Sequence, residues 1–579
     1  MKWNRSFPNI PPADQIIPIL LANRGLKTRE EIANFLSPTD PGDLTPESVG
    51  LEKKSVLKAI KRIKAAVKTN EPIVVYGDYD ADGICSTAIL WEALRDLGAK
   101  AMPFIPLREK EGYGLSREGI DTILSEAKYG LTTTPKSSNK RSRKNGLASS
   151  KGLVISVDSG IMAHEAVNYA KKKGLDVIII DHHEKPQNLP KAHTIIHTQS
   201  LCAAGISYIF SKELLPPSPS SPAPSLELAA IATITDLMPL SGPNRSIVKY
   251  GLELLNKTNR PGLRALFNVA GIEKVGTYEI GFMIGPRLNA SGRIENALLA
   301  LRMLCTSDFT KALEYAQQLN ETNKQRQGMM EEMTLHALDT VNSEQRTVNS
   351  QQRIIVIEHE SYHQGIIGLI AGKLVDKYYL PAIVISKGET VSKASARSIS
   401  GFNIIEAIRT TSEILLGAGG HPMAAGFSIE TARIEEFKTA ISKVALEQIK
   451  EEMLDRVLRI DCNLDLGQID VNLYQKIRQF EPFGLGNPEP TFASEVQVQN
   501  IRTVGQEGKH LKLTVVRTNQ QPATSNQQLS IDCIAFNQGS LASQIKIGDK
   551  ISIAYTIDLN SFNGHQTLQL KVKDVEQLI

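Results

Sequence analysis

Three aspartates alternate within five residues in Val74-Val75-Tyr76-Gly77-Asp78-Tyr79-Asp80-Ala81-Asp82-Gly83, directly after the apolar run Ile73 to Tyr76. Carboxylates this close repel one another unless a cation lies between them. A second acidic stretch follows the same plan. Val157-Asp158-Ser159-Gly160 closes another apolar run, and one helix-length later Ile180-Asp181-His182-His183 closes a further one. Oxygen donors with one or two imidazoles suit Mg²⁺ or Mn²⁺, and zinc as well. The stretches together imply a two-metal site that cuts phosphodiesters.

The apolar runs recur with a rhythm. Ile73 to Tyr76, Met102 to Ile105, Leu153 to Val157 and Val177 to Ile180 read as strands. Between them Ser86 to Leu97, Ser116 to Ala127 and Ala163 to Lys173 read as helices. Such alternation predicts an α/β fold with a parallel, doubly wound sheet. Ligands of such sheets gather beyond the carboxyl ends of the strands. Asp78, Asp80, Asp82, Asp158, Asp181 and His182 all follow strand-like runs and are expected to converge there. Asp236, in Thr235-Asp236-Leu237-Met238-Pro239, closes another mostly apolar run and is a candidate fifth acid.

Other readings of the acidic motif fail. Asp78-x-Asp80-x-Asp82-Gly83 opens like a calcium EF-hand loop, but the twelfth position is Ile89 rather than the bidentate Glu, and a strand rather than a helix precedes it. One aspartate suffices to cap the following helix; three, with Asp158, Asp236 and a histidine pair, exceed that need. No phosphate-binding glycine loop follows the first strand, which disfavours a nucleotide-cofactor enzyme. His182 and His183, as neighbours in extended chain, are expected to point apart, one as a ligand and the other toward substrate.

The remainder of the chain divides by character. Its 579 residues exceed a single core and suggest three or four domains. Lys53 to Lys68 reads as a helix with a basic face, either in contact with nucleic acid or, the preferred reading, solvated. Thr132 to Lys151, including Lys140-Arg141-Ser142-Arg143-Lys144, and Pro216 to Ser225 read as exposed, flexible insertions. Gly285-Pro286-Arg287-Leu288-Asn289-Ala290-Ser291-Gly292-Arg293 is expected to form a glycine-bounded loop whose arginines and amide suit phosphate oxygens. Phe309 to Val341 reads as a long linking helix and Ser343 to Gln352 as a polar boundary. From Arg353 a second α/β unit begins, containing Ser395-Ala396-Arg397-Ser398 and a glycine-rich loop, Gly417-Ala418-Gly419-Gly420-His421-Pro422. Short alternating segments from about 457 onward predict a small antiparallel barrel of the kind that binds single-stranded nucleic acid. There is no internal repeat.

Net charge is only +4, so any basic nucleic-acid surface must be local. The five cysteines are scattered with no Cys-x-x-Cys, which argues against a zinc ribbon or a disulfide framework and fits the cytoplasm. The early apolar run Ile16 to Ala22 is too short to span a bilayer and lacks a cleavage pattern, so no membrane association is expected.

With these motifs the chain resembles the RecJ family of single-strand-specific 5′→3′ DNA exonucleases, within the DHH phosphoesterase superfamily. Asp181-His182-His183 resembles the superfamily signature, Gly77 to Gly83 its first motif, Val157 to Gly160 its second and Asp236 to Pro239 its fourth. Gly419-Gly420-His421 resembles the associated DHHA1 domain, and Arg287 to Arg293 and Pro482-Phe483-Gly484-Leu485-Gly486-Asn487-Pro488 resemble RecJ stretches. The resemblance implies two α/β domains, DHH and DHHA1, joined by a long helix, with a C-terminal OB-fold. The boundaries are a helical accessory segment at 1–70, DHH at 71–308, linking helix and boundary at 309–352, DHHA1 at 353–456 and the OB-fold at 457–579. It implies two Mn²⁺ or Mg²⁺ ions held by Asp80, Asp82, Asp158, His182 and Asp236, with Asp158 bridging. Asp78 belongs to the same motif, either as a further ligand or as a support behind the ligands. His183 would face the scissile phosphate, and Asp158, Arg287 and His421 would share in catalysis. Arg287, Asn289, Arg293, Gly420 and His421 would meet the DNA, with Ser395 and Arg397 in a 5′-phosphate pocket. A monomer working in DNA repair and recombination beside single-stranded-DNA-binding protein and a RecQ-like helicase is also implied.

Two other readings stay open. One is a phosphodiesterase of the same superfamily acting on short oligonucleotides, cyclic dinucleotides or pyrophosphate, which would not need the C-terminal domain. The other is a DNA-binding scaffold without catalysis, which would have lost metal ligands that are all present here.

Overall fold

The structure is a computed structural model that describes residues 1–131, 152–215, 225–345, 352–518, 530–562 and 565–577. Both expected insertions lie outside the described residues, apart from Ser225. The chain forms two compact units: Met1–Pro38, Pro239–Gly242 and Asp455–Ile579 make one, Thr39–Met238 and Pro243–Leu454 the other. The first 70 residues are therefore shared between the units.

The larger unit opens with α1 (Lys53–Lys68) and then lays down β1 (Ile73–Tyr76), α2 (Ala81–Asp96), β2 (Ala101–Phe104), α3 (Arg117–Ser125), β3 (Gly152–Val157), α4 (His164–Lys172), β4 (Leu175–Asp181) and β5 (Thr194–His197). The five strands are all parallel, in the order β2-β1-β3-β4-β5. β1 and β3 are buried along their whole length, as expected of Val/Ile-rich strands covered on both faces. One face packs α1, α2, α5 (Ala203–Leu214) and α6 (Leu226–Thr235); the other packs α3 and α4. Each large apolar side chain enclosed in this way contributes roughly 1.5–3 kcal/mol. In this strand order the direction of winding reverses between β1 and β3, and that reversal opens a crevice at the carboxyl edge.

The Arg287–Arg293 stretch is a helix, not a loop: it forms α7 (Gly285–Ile294), which continues directly from a π-helical turn at Ile280–Ile284, with Pro286, lacking an N–H, just past the junction. α8 (Phe309–Gln345) is the expected long helix. A second sheet follows, of β6 (Ile355–His359), β7 (Ala382–Ser386), β8 (Val391–Arg397), β9 (Leu415–His421) and β10 (Ala424–Glu430), in the order β9-β10-β8-β7-β6, with α9 (Ile367–Tyr378) packed against β7 and β8. Here the sequence expectation is again corrected. The glycine-rich stretch before Pro422 is the exposed edge strand β9, held in register by β10 from Leu415 to His421.

The smaller unit is built on a closed five-stranded barrel of β11 (Phe492–Val504), β12 (His510–Arg517), β13 (Ser530–Ala535), β14 (Lys550–Phe562) and β15 (His565–Gln577). β11 pairs with both β12 and β14, and β13 with β15, so the sheet closes on itself. Its core includes Phe492, Val496, Leu513, Val515, Ile553 and Tyr555. A short strand Lys2–Arg5 pairs in parallel with Val457–Ile460, so the N-terminal segment is not purely helical. Buried Asn487 closes the 482–488 turn by donating to the carbonyls of Phe480 and Pro482 at 2.8 and 2.9 Å.

Candidate metal centre and anion pocket

The acidic residues reach the crevice by three routes. Asp78 lies just beyond β1, Asp158 directly follows β3, and Asp181 is the last residue of β4. Asp80 is the N-cap of α2: its Oδ1 accepts from the Asp82 and Gly83 amides at 3.0 Å each. Capping, set aside at the level of sequence, is thus one of its tasks. Asp82 sits inside the first turn of α2 and Asp236 at the carboxyl end of α6, so these two enter from helices and not from strand ends. Gly83 permits this arrangement, since a Cβ there would fall 2.5–2.7 Å from the Asp78 backbone.

Asp82 is gripped from behind. The Ala203 and Ala204 amides, at the N-terminus of α5, donate to its Oδ2 and Oδ1 at 2.7 Å each, an anion-binding arrangement typical of helix starts. Asp158 stands in the left-handed region, at φ 61°, a conformation that Asp tolerates better than most residues but that still stores strain. Its Oδ1 and that of Asp78 are buried and accept no hydrogen bond.

Three groups of donor atoms lie within 4.8 Å of one another: Asp158, His182 and His183; Asp82, His182 and Asp236; and Asp78, Asp80 and Asp158. His182 Nε2 is 3.3 Å from Asp158 Oδ1 and 3.7 Å from both Asp82 Oδ2 and Asp236 Oδ2. Burial, then the charge of His183, pushes His182 down to about 4. Its ring is therefore neutral and offers a lone pair. Burial and the neighbouring carboxylates raise Asp78 and Asp158 well above the usual range. The same two causes push Asp82 to about 6 and Asp236 to about 8. Unpartnered buried oxygens, a neutral imidazole and mutually repelling acids make a donor set that fits hard divalent cations.

His183 is differently disposed. Its Nδ1 pairs with Asp181 Oδ1 at 2.8 Å, and Asp181 also accepts from the His182, His183 and Ile161 amides. Burial opposes a charged ring, but the Asp181 carboxylate outweighs it and pushes His183 up to about 9. The free Nε2 lies 3.4 Å from the Tyr113 hydroxyl, and the ring stacks at 6.4 Å on His421 at the end of β9. The two histidines do not point apart as expected. Extended chain ends at Asp181, and the rings lie 4.6 Å from each other.

Beside the acids lies a cluster of arginines. Arg293 is half-buried and donates to the Gly365 carbonyl at 3.0 Å. Burial and the charges of Arg108, Arg326 and Arg397 push it down to about 10, with Asp80 opposing. Arg397 donates to its neighbour's carbonyl at 2.8 Å and reaches Ser395 Oγ at 3.5 Å. Among the described residues none of these four guanidiniums forms an ion pair with a carboxylate. Crowded, partly desolvated cations without a counterion mark a pocket for an anion such as phosphate.

The other expected DNA contacts are less free. Arg287 spends Nε on Asn320 Oδ1 at 3.0 Å and Nη1 on the Met283 carbonyl at 2.7 Å. Asn289 Oδ1 accepts from the Ala81 amide at 2.7 Å and ties α7 to the start of α2. Gly420 has φ 144°, and a Cβ there would meet the Ala424 carbonyl at 2.4 Å. The sequence reading missed Arg108, Tyr113 and Arg326. Arg108 was within its reach, being four residues past β2 at the same strand edge; Arg326, inside α8, carries no local signal.

Comparison with known proteins converges on one lineage. Residues 72–233 match the DHH family N-terminal domain, 351–447 the DHHA1 domain and 460–574 the RecJ OB domain. The single-stranded-DNA-specific exonuclease RecJ of Bacillus subtilis is 35% identical over 573 residues, covering 96% of this chain and 67% of that protein. The Escherichia coli protein of the same name is 27% identical over 590 residues, covering 96% and 95%. Among solved structures, Thermus thermophilus RecJ in complex with Mn²⁺ matches with a TM-score of 0.76 and 25% identity, covering all of this chain and 80% of that one. A manganese-bound exonuclease RecJ matches with a TM-score of 0.55 and 29% identity, over 69% and 96%. Three domain models in the family's order, carried by one chain that aligns almost end to end with these proteins, leave a single assignment: the chain belongs to the RecJ family.

Proposed function

We propose that the chain is an exonuclease that digests single-stranded DNA from its 5′ end and releases mononucleotides by metal-dependent phosphodiester hydrolysis, in DNA repair and recombination. The observation that carries this reading is the adjacency of a carboxylate–imidazole cluster whose donors fit divalent cations and an arginine cluster whose charges fit a phosphate. A phosphodiester chelated to the cations meets both.

Asp78, Asp80, Asp158, His182 and Asp236 would hold the two Mn²⁺ or Mg²⁺ ions, Asp158 being common to two of the donor groups. We add Asp78 because its buried Oδ1 accepts no hydrogen bond. Asp82, held by the amides at the start of α5, retains lone pairs for an ion but serves equally to fix the start of α2. Divalent ions bound there would supply an activated water and positive charge for the phosphoryl oxygens. The protein's own part is orientation and charge. Asp181 fixes the His183 ring and keeps it protonated, so that its Nε2 presents a donor to a non-bridging phosphate oxygen. His421, stacked on it, stands at the same approach, and Arg287 is assigned to the DNA backbone. Arg108, Arg293, Arg397 and Ser395 receive the 5′-terminal phosphate, which sets the direction of digestion. Gly420 allows the strand to pass close to the backbone of β9, and the barrel offers a platform for the single strand. Monomeric action in the cytoplasm, beside single-stranded-DNA-binding protein and a RecQ-like helicase, is the setting the family suggests. Among the described residues, no helix is long and apolar enough to cross a membrane.

The test is digestion of a 3′-labelled single strand with Mn²⁺, with and without a 5′ phosphate. A descending ladder is expected, faster with the phosphate. Intact DNA with both substrates, alongside turnover of cyclic dinucleotides or pyrophosphate, would replace this reading with a small-substrate phosphodiesterase.

A further inference from the structure

Helix α1 carries seven cationic side chains and no carboxylate between Lys53 and Lys68. Val56, Ala59, Ile60, Ile63 and Ala66 bury one side of it. Lys54, Lys58, Lys61, Lys64 and Lys68 are exposed on the opposite side, spread over about 21 Å at the rise of an α-helix. Arg62 is taken up by Glu71 and Asp176, and Lys53 by Glu47. The five remaining lysines form no ion pair among the described residues.

A helix face that serves only for solubility mixes both signs of charge. This one does the opposite, against its own stability. Each successive pair of these lysines is spaced three or four residues apart, where like charges repel. Lys54 also occupies the first turn, where the helix dipole disfavours cations, and it forms no ion pair among the described residues. The segment just ahead of α1 lies close to the candidate site, while the Ser55 carbonyl already accepts from Thr194 at the start of β5 and Arg62 pairs with Asp176 at the start of β4. The His197 ring, at the end of β5, meets the His183 carbonyl at 2.7 Å, and Thr198 donates to the Val49 carbonyl at 2.9 Å, just ahead of α1. From there α1 runs toward the opposite edge of the sheet, where β1 begins. There is no aromatic residue between Lys53 and Asn70, so the face offers charge without a surface on which bases can stack.

We propose that α1 docks the sugar–phosphate backbone of a DNA duplex adjoining the single strand under digestion. A straight, base-blind row of lysines fits the backbone of a stiff duplex, whose bases are hidden and whose phosphates are exposed. This rests on the nuclease reading above. It departs from the solvated face read in the sequence.

The test is the full-length K58Q/K61Q/K64Q variant, none of whose altered positions belongs to the catalytic or anion-binding groups. Binding is read without metal as a function of salt, for a short 5′-phosphorylated single strand and for a hairpin duplex bearing the same strand as its 5′ tail. For the tailed duplex, the slope of log K against log salt is expected to fall by roughly 3 in the variant. It should be unchanged for the short strand, and the K58R/K61R/K64R variant should behave as wild type. An unchanged slope on the tailed duplex, or an equal loss on the short strand, overturns the proposal. Because binding is read without cleavage, a wild-type protein that shows the slope but digests no strand in Mn²⁺ defeats the nuclease reading alone.

Discussion

His182 Nε2 approaches Asp158 Oδ1 to 3.3 Å without forming a hydrogen bond, and both atoms belong to groups that burial drives toward neutrality. A lone pair facing a carboxylate oxygen across such a gap is relieved either by a proton or by a divalent cation that takes both atoms as ligands. Asp158→Asn keeps a side chain suited to the left-handed backbone and removes the charge. It should lower cleavage by roughly 10³-fold or more, about 4 kcal/mol in the barrier, with single-strand binding retained. Digestion and binding measured side by side check this, and near-normal cleavage would remove Asp158 from the centre.

The Asp181–His183 pair predicts a different pattern. Asp181→Asn leaves His183 without the carboxylate that keeps it charged. Activity should fall roughly 10–100-fold, as for other supports behind metal-site residues. The alkaline limb of the pH–rate profile should also move toward lower pH. A lower rate with an unmoved profile would show that Asp181 acts by packing alone.

Stability of the metal-free protein should depend on pH with a definite sign. Asp82 at about 6 and Asp236 at about 8 hold their protons more tightly than in the unfolded chain, where carboxylates titrate near pH 4. The contribution is present at low pH and is lost as pH rises through those values. His183, at about 9, acts in the same direction, its stabilisation being lost as pH rises through 9. Divalent ions bind the ionised acids and relieve the repulsion. The rise in Tm on adding Mg²⁺ should therefore be larger at pH 8.5 than at pH 6. Equal increments by calorimetry would contradict this account.

Arg397→Ala and Arg108→Ala should each reduce the preference for a 5′-phosphorylated end by roughly 10-fold or more, the worth of a charge-assisted hydrogen bond. Digestion of a strand with a 5′ hydroxyl should change little. Rates on the two substrates, compared within each variant, give the answer.

Gly83→Ala places a methyl group against the Asp78 backbone. Overpacking of this kind costs about 1–3 kcal/mol and displaces α2 from the strand end, so both Tm and cleavage should fall. A variant with unaltered Tm would mean that the start of α2 gives way easily.

The parts of the fold that were legible were those where one local property decides the outcome. β1, β3 and β4 are dominated by apolar residues because a parallel sheet is covered on both sides, and the acids at their ends betray the crevice. The stretches around Arg287 and Gly417 were misread as loops, because glycine and proline weaken local preference and tertiary contacts then decide. The Asn289 bond to the Ala81 amide helps seat one as a helix; pairing with β10 makes a strand of the other. Arg326 was illegible in principle. An arginine within a helix looks like any other until folding brings three more beside it.

The bare edge of β9 has a second consequence. Open edges with unpaired amides and carbonyls invite other chains to add strands, and many proteins guard them with charge or proline. Here Gly417, Gly419 and Gly420 supply the guard. Glycine loses the most conformational freedom on being straightened and brings no side chain to reward an incoming strand. The composition that keeps this edge approachable for a ligand thereby also discourages self-association through it.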